Sequence, residues 1–396
     1  MLLEVKNFNN KIALVLLILI LNSYLFLSIG LPVEMLKINL VIFFVVFIYF
    51  FIKYFKYNFP LKLYFLLILL ICLGEPAINW DLRSIYLFHA KRIFFDDSIY
   101  SIADNYAQFS HNDYPLLVPA FSSSFAFLVG YWHEVFPKSA FTFIYLPPLI
   151  FLSSYLDNKK YIIFLSVLIF FIGQYLFNGG TEGILSVYFI TCAFCFYYIF
   201  FEKNNKKIDL TFYILTVLFC TSLALIKNEG LALLLVIFTT TVLIKLFEEK
   251  TVQLQFLKKM LILSVSFLPM LFWKFFCYKN NIINQFLHED SLNIILTKIY
   301  YLENYKLFFY YFFFSNEKFI LAVVAFLISF YVNFDKKLFY YCLLIFFSYL
   351  IIILLVHFAT DLEFVHQLQT TSFRIVKTFT LILGFFTIYN LKIKTS

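Results

Sequence analysis

LKINLVIFFVVFIYFFIKY, residues 36–54, decides the class of this chain. It is closed by Lys37 at one end and Lys53 at the other, with only Asn39 polar between them. About 20 apolar residues in helical geometry cover the hydrocarbon core of a bilayer, and a soluble helix has no use for an apolar surface on every side. Similar runs recur on both sides of it. We place spans at 12–30, 36–54, 61–74, 140–156, 161–177, 183–201, 208–226, 229–247, 260–277, 318–333, 338–356 and 374–391. The reading is an all-α polytopic membrane protein of about 12 transmembrane helices. Composition agrees: 63% of residues are hydrophobic, 14% are charged, and mean hydropathy is +0.87. A soluble domain carries about 45–50% apolar and about 25% charged residues.

The formal charge of +8 does not point to nucleic acid, because the lysines stand in small groups between apolar runs. That is the pattern of cytoplasmic loops. With the N-terminus inside, eighteen of the 31 basic residues fall in inside segments, among them Lys159, Lys160, Lys336, Lys337, Lys392 and Lys394. Both termini are then cytoplasmic. The first run is too long for a signal-peptide core and is read as an uncleaved helix. Cys72, Cys192, Cys195, Cys220, Cys277 and Cys342 lie in or beside apolar runs and are read as small packing residues. No repeat of 20–50 residues is present. The chain divides into two N-terminal helices (1–60), a helical module with a long external loop (61–278, loop 75–139), a second external region (279–317) and C-terminal helices (318–396).

Polar residues other than lysine concentrate in the external regions, so the chemistry is expected there. Residues 80–95 have mixed helical spacing, with Trp80, Ser84, Leu87 and Lys91 near one face and Asp81, Ile85, Phe88 and Arg92 near the next. This predicts an interfacial helix. Residues 114–130 are read as a second membrane-surface helix, although an additional span is the other option.

WDLRSIYLFHAK at 80–91, followed by HNDYPLLVP at 111–119, resembles the bacterial members of the GT-C superfamily. These are membrane glycosyltransferases that use polyprenyl-phosphate-linked sugars and are distantly like the dolichyl-phosphate-mannose protein mannosyltransferases. GGTEG at 179–183, LIKNEG at 225–230 and TSFR at 371–374 match in character. The resemblance implies a GT-C-like bundle with interfacial helices in the first large external loop. It implies transfer of a sugar from a polyprenyl-phosphate donor to a glycan, lipid or protein acceptor on the extracytoplasmic face of the cell membrane. A divalent metal is left open as cofactor.

Asp81 is the candidate general base, the other reading being that it caps the helix that follows. Arg374, Lys227 and Lys91 are candidate donor-phosphate ligands, since cations stabilise a leaving phosphate and arginine binds one through two nitrogens. Glu75, His89, Asp113, Glu182 and Glu229 are candidates for acceptor or metal. Asp113 is equally placed to cap the next helix, and Lys227 and Glu229 to pair with each other. His288, Glu289 and Asp290 form a polar group, and His357 and His366 stand nine apart, both without a specific pattern. Two other functions compete: a flippase or transporter for lipid-linked oligosaccharide, and an O-antigen-type polymerase or ligase.

Overall fold

The computed structural model describes residues 2–156, 158–172, 180–202, 209–248, 253–284, 291–360 and 363–395. These are helical, with no strand among them. The helices are α1 (Leu2–Ser28), α2 (Val33–Ile52), α3 (Phe55–Gly74), α4 (Leu87–Asp96), α5 (Leu117–Val129), α6 (Val135–Ile144), α7 (Leu146–Ser154), α8 (Lys159–Ile172) and α9 (Glu182–Phe200). They continue as α10 (Leu210–Ile226), α11 (Asn228–Glu248), α12 (Leu254–Ser264), α13 (Leu268–Lys279), α14 (Ser291–Ile299), α15 (Leu302–Phe309), α16 (Glu317–Val332), α17 (Lys336–Ala359) and α18 (Phe364–Thr395).

Eight described stretches are long and apolar enough to cross a membrane, and nine if the pair Leu302–Phe314 and Glu317–Val332, bent by 76°, is one span. The chain is thus an all-α, multi-pass membrane protein. The described parts of all twelve expected runs fall mainly on helices, but those at 61–74, 161–177, 208–226 and 318–333 lie on shorter ones. Asn58–Gly74 and Leu210–Ile226 are apolar yet short, and the run at 161–177 lies partly outside the described residues. The group His288–Asp290 also lies outside them.

α9 is the axis of the bundle, packing against α7, α10, α11 and α18, while α16 and α17 lean on α18. The two N-terminal helices are not set apart, since α1 packs against α5, α7 and α10. Polar residues fasten them: Asn39 Nδ2 donates to Leu19 O at 2.8 Å, and Ser154 Oγ donates to Asn10 Oδ1 at 3.0 Å.

Two expectations about the first external region are corrected. Residues 114–130 do not form an exposed helix, and their helix is shorter than the stretches long enough to cross a membrane. α5 has 13 residues, roughly 20 Å of helix, and is enclosed by α1, α2, α4 and α6. Its serines are buried with the apolar residues, and the hydroxyls of Ser123 and Ser124 both donate to Ala120 O. The segment at 80–95 is helical but does not lie on a surface with the expected faces. Leu82–Tyr86 is a π turn that leads into α4. The wider turn rotates the side chains that follow relative to Trp80 and Asp81, and within α4 Leu87 is buried whereas Lys91 is exposed. Leu82, Ile85, Tyr86, Leu87, His89, Ala90 and Ile93 are buried, and α4 packs against α5.

Candidate functional site

Asp81 stands at the start of that helical segment, but it does not cap it. Asn79 does, its Oδ1 accepting from the Leu82 backbone N at 3.3 Å. The Asp81 carboxylate is left for another partner. It receives Nη1 of Arg374, which comes from α18, 293 residues away in sequence. The same nitrogen lies 3.3 Å from Glu182 Oε1 at the first residue of α9. Lys227 Nζ lies 3.7 Å from that same Glu182 oxygen and 2.9 Å from Glu229 Oε1. Five residues from four stretches of chain therefore form one alternating row of charge, Asp81, Arg374, Glu182, Lys227, Glu229.

Local structure aims each member. Tyr86 OH and Thr181 Oγ1, 2.5 Å apart, tie the π turn to the start of α9. Ser186 Oγ and Thr378 Oγ1, 2.7 Å apart, tie α9 to α18 one turn beyond the charges. Lys227 is an extended residue between α10 and α11, and Gly230 lets the two helices close up. A Cβ at 230 would stand 1.8 Å from Leu223 O. Asn228 is held at both ends of its amide: Nδ2 donates to Asp113 Oδ2 at 2.6 Å, and Oδ1 accepts from Lys274 Nζ at 2.8 Å. Lys227 and Glu229, on either side of it, are thereby presented to the cavity. Burial disfavours the Lys227 ammonium, but Glu229 and Glu182 outweigh it and push its pKa well above the ordinary lysine value.

The row lines a cavity of about 310 Å³. Ile85, Leu185, Ala232, Ile352, Ile353, Val356 and Ile375 supply its apolar walls. Tyr349, Ile352, Ile353, Val356 and His357 are one face of α17 by helical spacing. Opposite them α18 presents Gln367, Thr371, Arg374 and Thr378, spaced 4, 3 and 4 residues apart. The α17 face is mainly apolar, with Tyr349 and His357 at its ends, and the α18 face is mainly polar, with Ile375 beside Arg374. His357 Nε2 lies 2.9 Å from Thr371 Oγ1, closing the two walls at one end. His111 and Tyr114 line the rim with their rings stacked, centroids 4.8 Å apart. Lys227 Nζ is 5.6 Å from the Tyr114 ring centroid.

No family model, curated protein or solved structure matches the chain. The site is therefore argued from its own residues.

The remaining candidates lie elsewhere. Asp113 is not the cap of α5 and does not line the cavity; it is buried beside it as the anchor of Asn228, with Lys274 Nζ 3.7 Å away. Burial raises its pKa and Lys274 works against that rise. His89 is buried under α4 with Nε2 2.9 Å from Ser110 O, and burial lowers its pKa to about 4. It is neutral near pH 7 and does not line the cavity, so it is no ligand for a phosphate there. Lys91 is exposed and away from the cavity lining. Glu75 closes α3, its carbonyl accepting from Lys138 Nζ, and also lies outside the lining. Lys227 and Glu229 do pair with each other, as the simpler reading had it, but within the row.

Among the described residues no group of three or more His, Cys, Asp or Glu is placed to hold a metal ion. Asp81 and Glu182 are both engaged by Arg374, and Glu182 and Glu229 by Lys227. This set does not fit a metal centre as it stands. The sequence reading missed Tyr349, Gln367, Thr371, Thr378 and Asn228, and gave His357 no role. The available signal was the concentration of polar residues at 366–378, HQLQTTSFRIVKT, ahead of the apolar run that ends α18.

Proposed function

We propose that this chain is a membrane glycosyltransferase of GT-C type, with a bundle of up to twelve spans. It transfers a sugar from a polyprenyl-phosphate donor to an acceptor at the extracytoplasmic face of the cell membrane. The observation that carries the reading is the alternating row of charge at a cavity that also has a broad apolar lining. A polyprenyl phosphate needs such a place: cations for the head and an apolar surface for the tail. Arg374 and Lys227 approach the same Glu182 oxygen, so one phosphate can span both. Glu182 is then a positioning residue that holds two like charges together. Glu182 opens its helix, Lys227 joins two helices and Asp81 precedes one. Arg374 stands ten residues beyond the start of α18, but the other four charges gather at helix ends, which suits chemistry at a membrane boundary better than passage through the bilayer and sets the flippase reading below this one. The lysine distribution puts that boundary outside.

In the reaction an acceptor hydroxyl attacks C1 of the donor sugar. The bond from C1 to the phosphate oxygen breaks, and its electron pair leaves on the phosphate. Asp81 accepts the hydroxyl proton. The growing charge on the phosphate falls on Arg374 and Lys227, already in place. General-base assistance is worth about 10²–10⁴-fold.

The test is a mass comparison of lipid-linked and finished glycans in cells with and without the protein. A species that lacks one sugar should accumulate without it. Unsubstituted protein should restore the parent pattern, and Asp81→Asn at equal abundance should restore about 1% or less. Identical glycans in the two strains would sink the reading.

A further inference from the structure

We propose that Arg374 is an exchangeable cap on the Asp81 carboxylate. A donor phosphate draws the guanidinium to itself, and the base is freed only while donor is bound. This rests on the reading above.

Arg374 Nη1 serves both Asp81 and Glu182. Nη2 and Nε make no hydrogen bond among the described residues, so most of a fork built for phosphate is idle. The two carboxylates it touches are not equivalent. The Glu182 side chain is 9% exposed and sits beneath, shared with Lys227; the Asp81 side chain is 22% exposed and has Arg374 alone. An arriving anion therefore meets the Asp81 contact first, and Glu182 stays as the hinge on which the guanidinium turns.

Charge balance gives the direction. The row has three carboxylates on two cations, and Lys377 adds a positive charge near Glu182. Phosphate raises the negative charges to four, and Arg374 is the cation in contact with Asp81. That arrangement is relieved when Asp81 gives up its cation and takes a proton. A carboxylate whose lone pairs hold a guanidinium is occupied, and one released beside an attacking hydroxyl is not. The proton then passes from acceptor to Asp81 as the electron pair passes from C1 to the phosphate. Neutral Asp81 no longer competes for Arg374, which remains on the more highly charged product phosphate. The cap would also limit hydrolysis, because the base is tied up whenever no donor is present.

Binding of a polyprenyl phosphate without sugar to the full chain in lipid nanodiscs tests this, since it needs no acceptor and no turnover. If carboxylate and phosphate compete for Arg374, Asp81→Asn binds about tenfold tighter than the unsubstituted protein while its transfer activity falls. Arg374→Ala binds about tenfold weaker, and the double variant matches Arg374→Ala alone. On the unsubstituted protein, carbodiimide labelling of Asp81 should rise when the polyprenyl phosphate is added, a measurement that does not depend on any variant folding. Equal or weaker binding by Asp81→Asn, or labelling that is unchanged or falls, overturns the exchange. Weaker binding that is also abolished by a chelator would mean a metal bridge in its place. If binding depends on Arg374 but not on Asp81, the functional reading survives and the exchange does not. If the unsubstituted protein does not bind the lipid phosphate, both fall.

Discussion

Glu182–Phe200 and Leu254–Lys279 have the same mean hydropathy, 1.9. The first is 94% buried within the protein and the second 33%. Hydropathy measures the avoidance of water, and lipid tails and protein interior avoid it equally, so the number cannot say which environment a helix faces. The difference lies in what is small and what is polar. The enclosed helix carries Gly183, Ser186, Thr191, Cys192, Ala193 and Cys195, which allow neighbours close and offer hydroxyls across the interface. The peripheral stretch turns Leu257, Leu261, Phe272 and Phe275 outward. Glu182 can stand on the first because four helices enclose it; nothing comparable surrounds the second.

Phenylalanine truncation puts the largest strain on this contrast. Phe189 is fully buried and its ring lies 5.7 Å from that of Tyr349, a wall of the cavity. Phe189→Ala should cost about 3–5 kcal/mol, and thermal unfolding in detergent would read it. Phe272, 71% exposed, should lose no more than about 0.5 kcal/mol in the same change. Equal shifts would mean that the two helices are packed alike.

Acid should act next, through His89. Its pKa in the folded protein, about 4, is below the ordinary 6.5. The stability tied to its neutral form is complete above pH 6.5 and is lost as pH falls toward 4, reaching about 3 kcal/mol at most. His89→Gln should unfold less readily in acid relative to pH 7 than the unsubstituted protein. An unchanged acid profile would remove His89 as the cause.

Glycine replacement separates backbone from side-chain contact inside the enclosed region. Gly230→Ala meets the Leu223 carbonyl, so the α10–α11 junction must shift, costing about 1–3 kcal/mol or more and weakening polyprenyl-phosphate binding through Lys227. Gly384→Ala meets Leu168 Cδ2 at 2.6 Å, the end of a side chain that can rotate, and should cost less. The reverse order would place the tight crossing at the wrong helix pair. The least perturbing test is labelling. The six native cysteines are buried. A membrane-impermeant thiol reagent added outside should modify Ala103→Cys and leave Lys336→Cys alone. The opposite pattern would turn the proposed site to the cytoplasm.

Much of the site was legible in the sequence because charges in so apolar a chain are few. Asp81, Glu182, Lys227, Glu229 and Arg374 stood out one by one and converge on one cavity. Asp113 and Lys91 stood out equally and do not line it. Whether a charge between apolar runs faces a cavity, a neighbour or water depends on helix rotation, and the π turn at Leu82–Tyr86 altered that rotation without a signal in the residues. α5 was misplaced for a related reason: a short apolar segment reads the same whether it lies on a membrane or is wrapped by four helices.

Sequence by itself determined the solvent, the helical class and the scarcity of charge. These follow from transfer free energies and from the need to satisfy every backbone group inside lipid, both local properties of the chain. Tertiary structure alone decided which helices are enclosed, that Asn79 and not Asp81 caps its helix, and that Arg374 crosses 293 residues of chain to reach Asp81. Those are choices among partners of similar polarity, and only the packed geometry of α9, α17 and α18 distinguishes them.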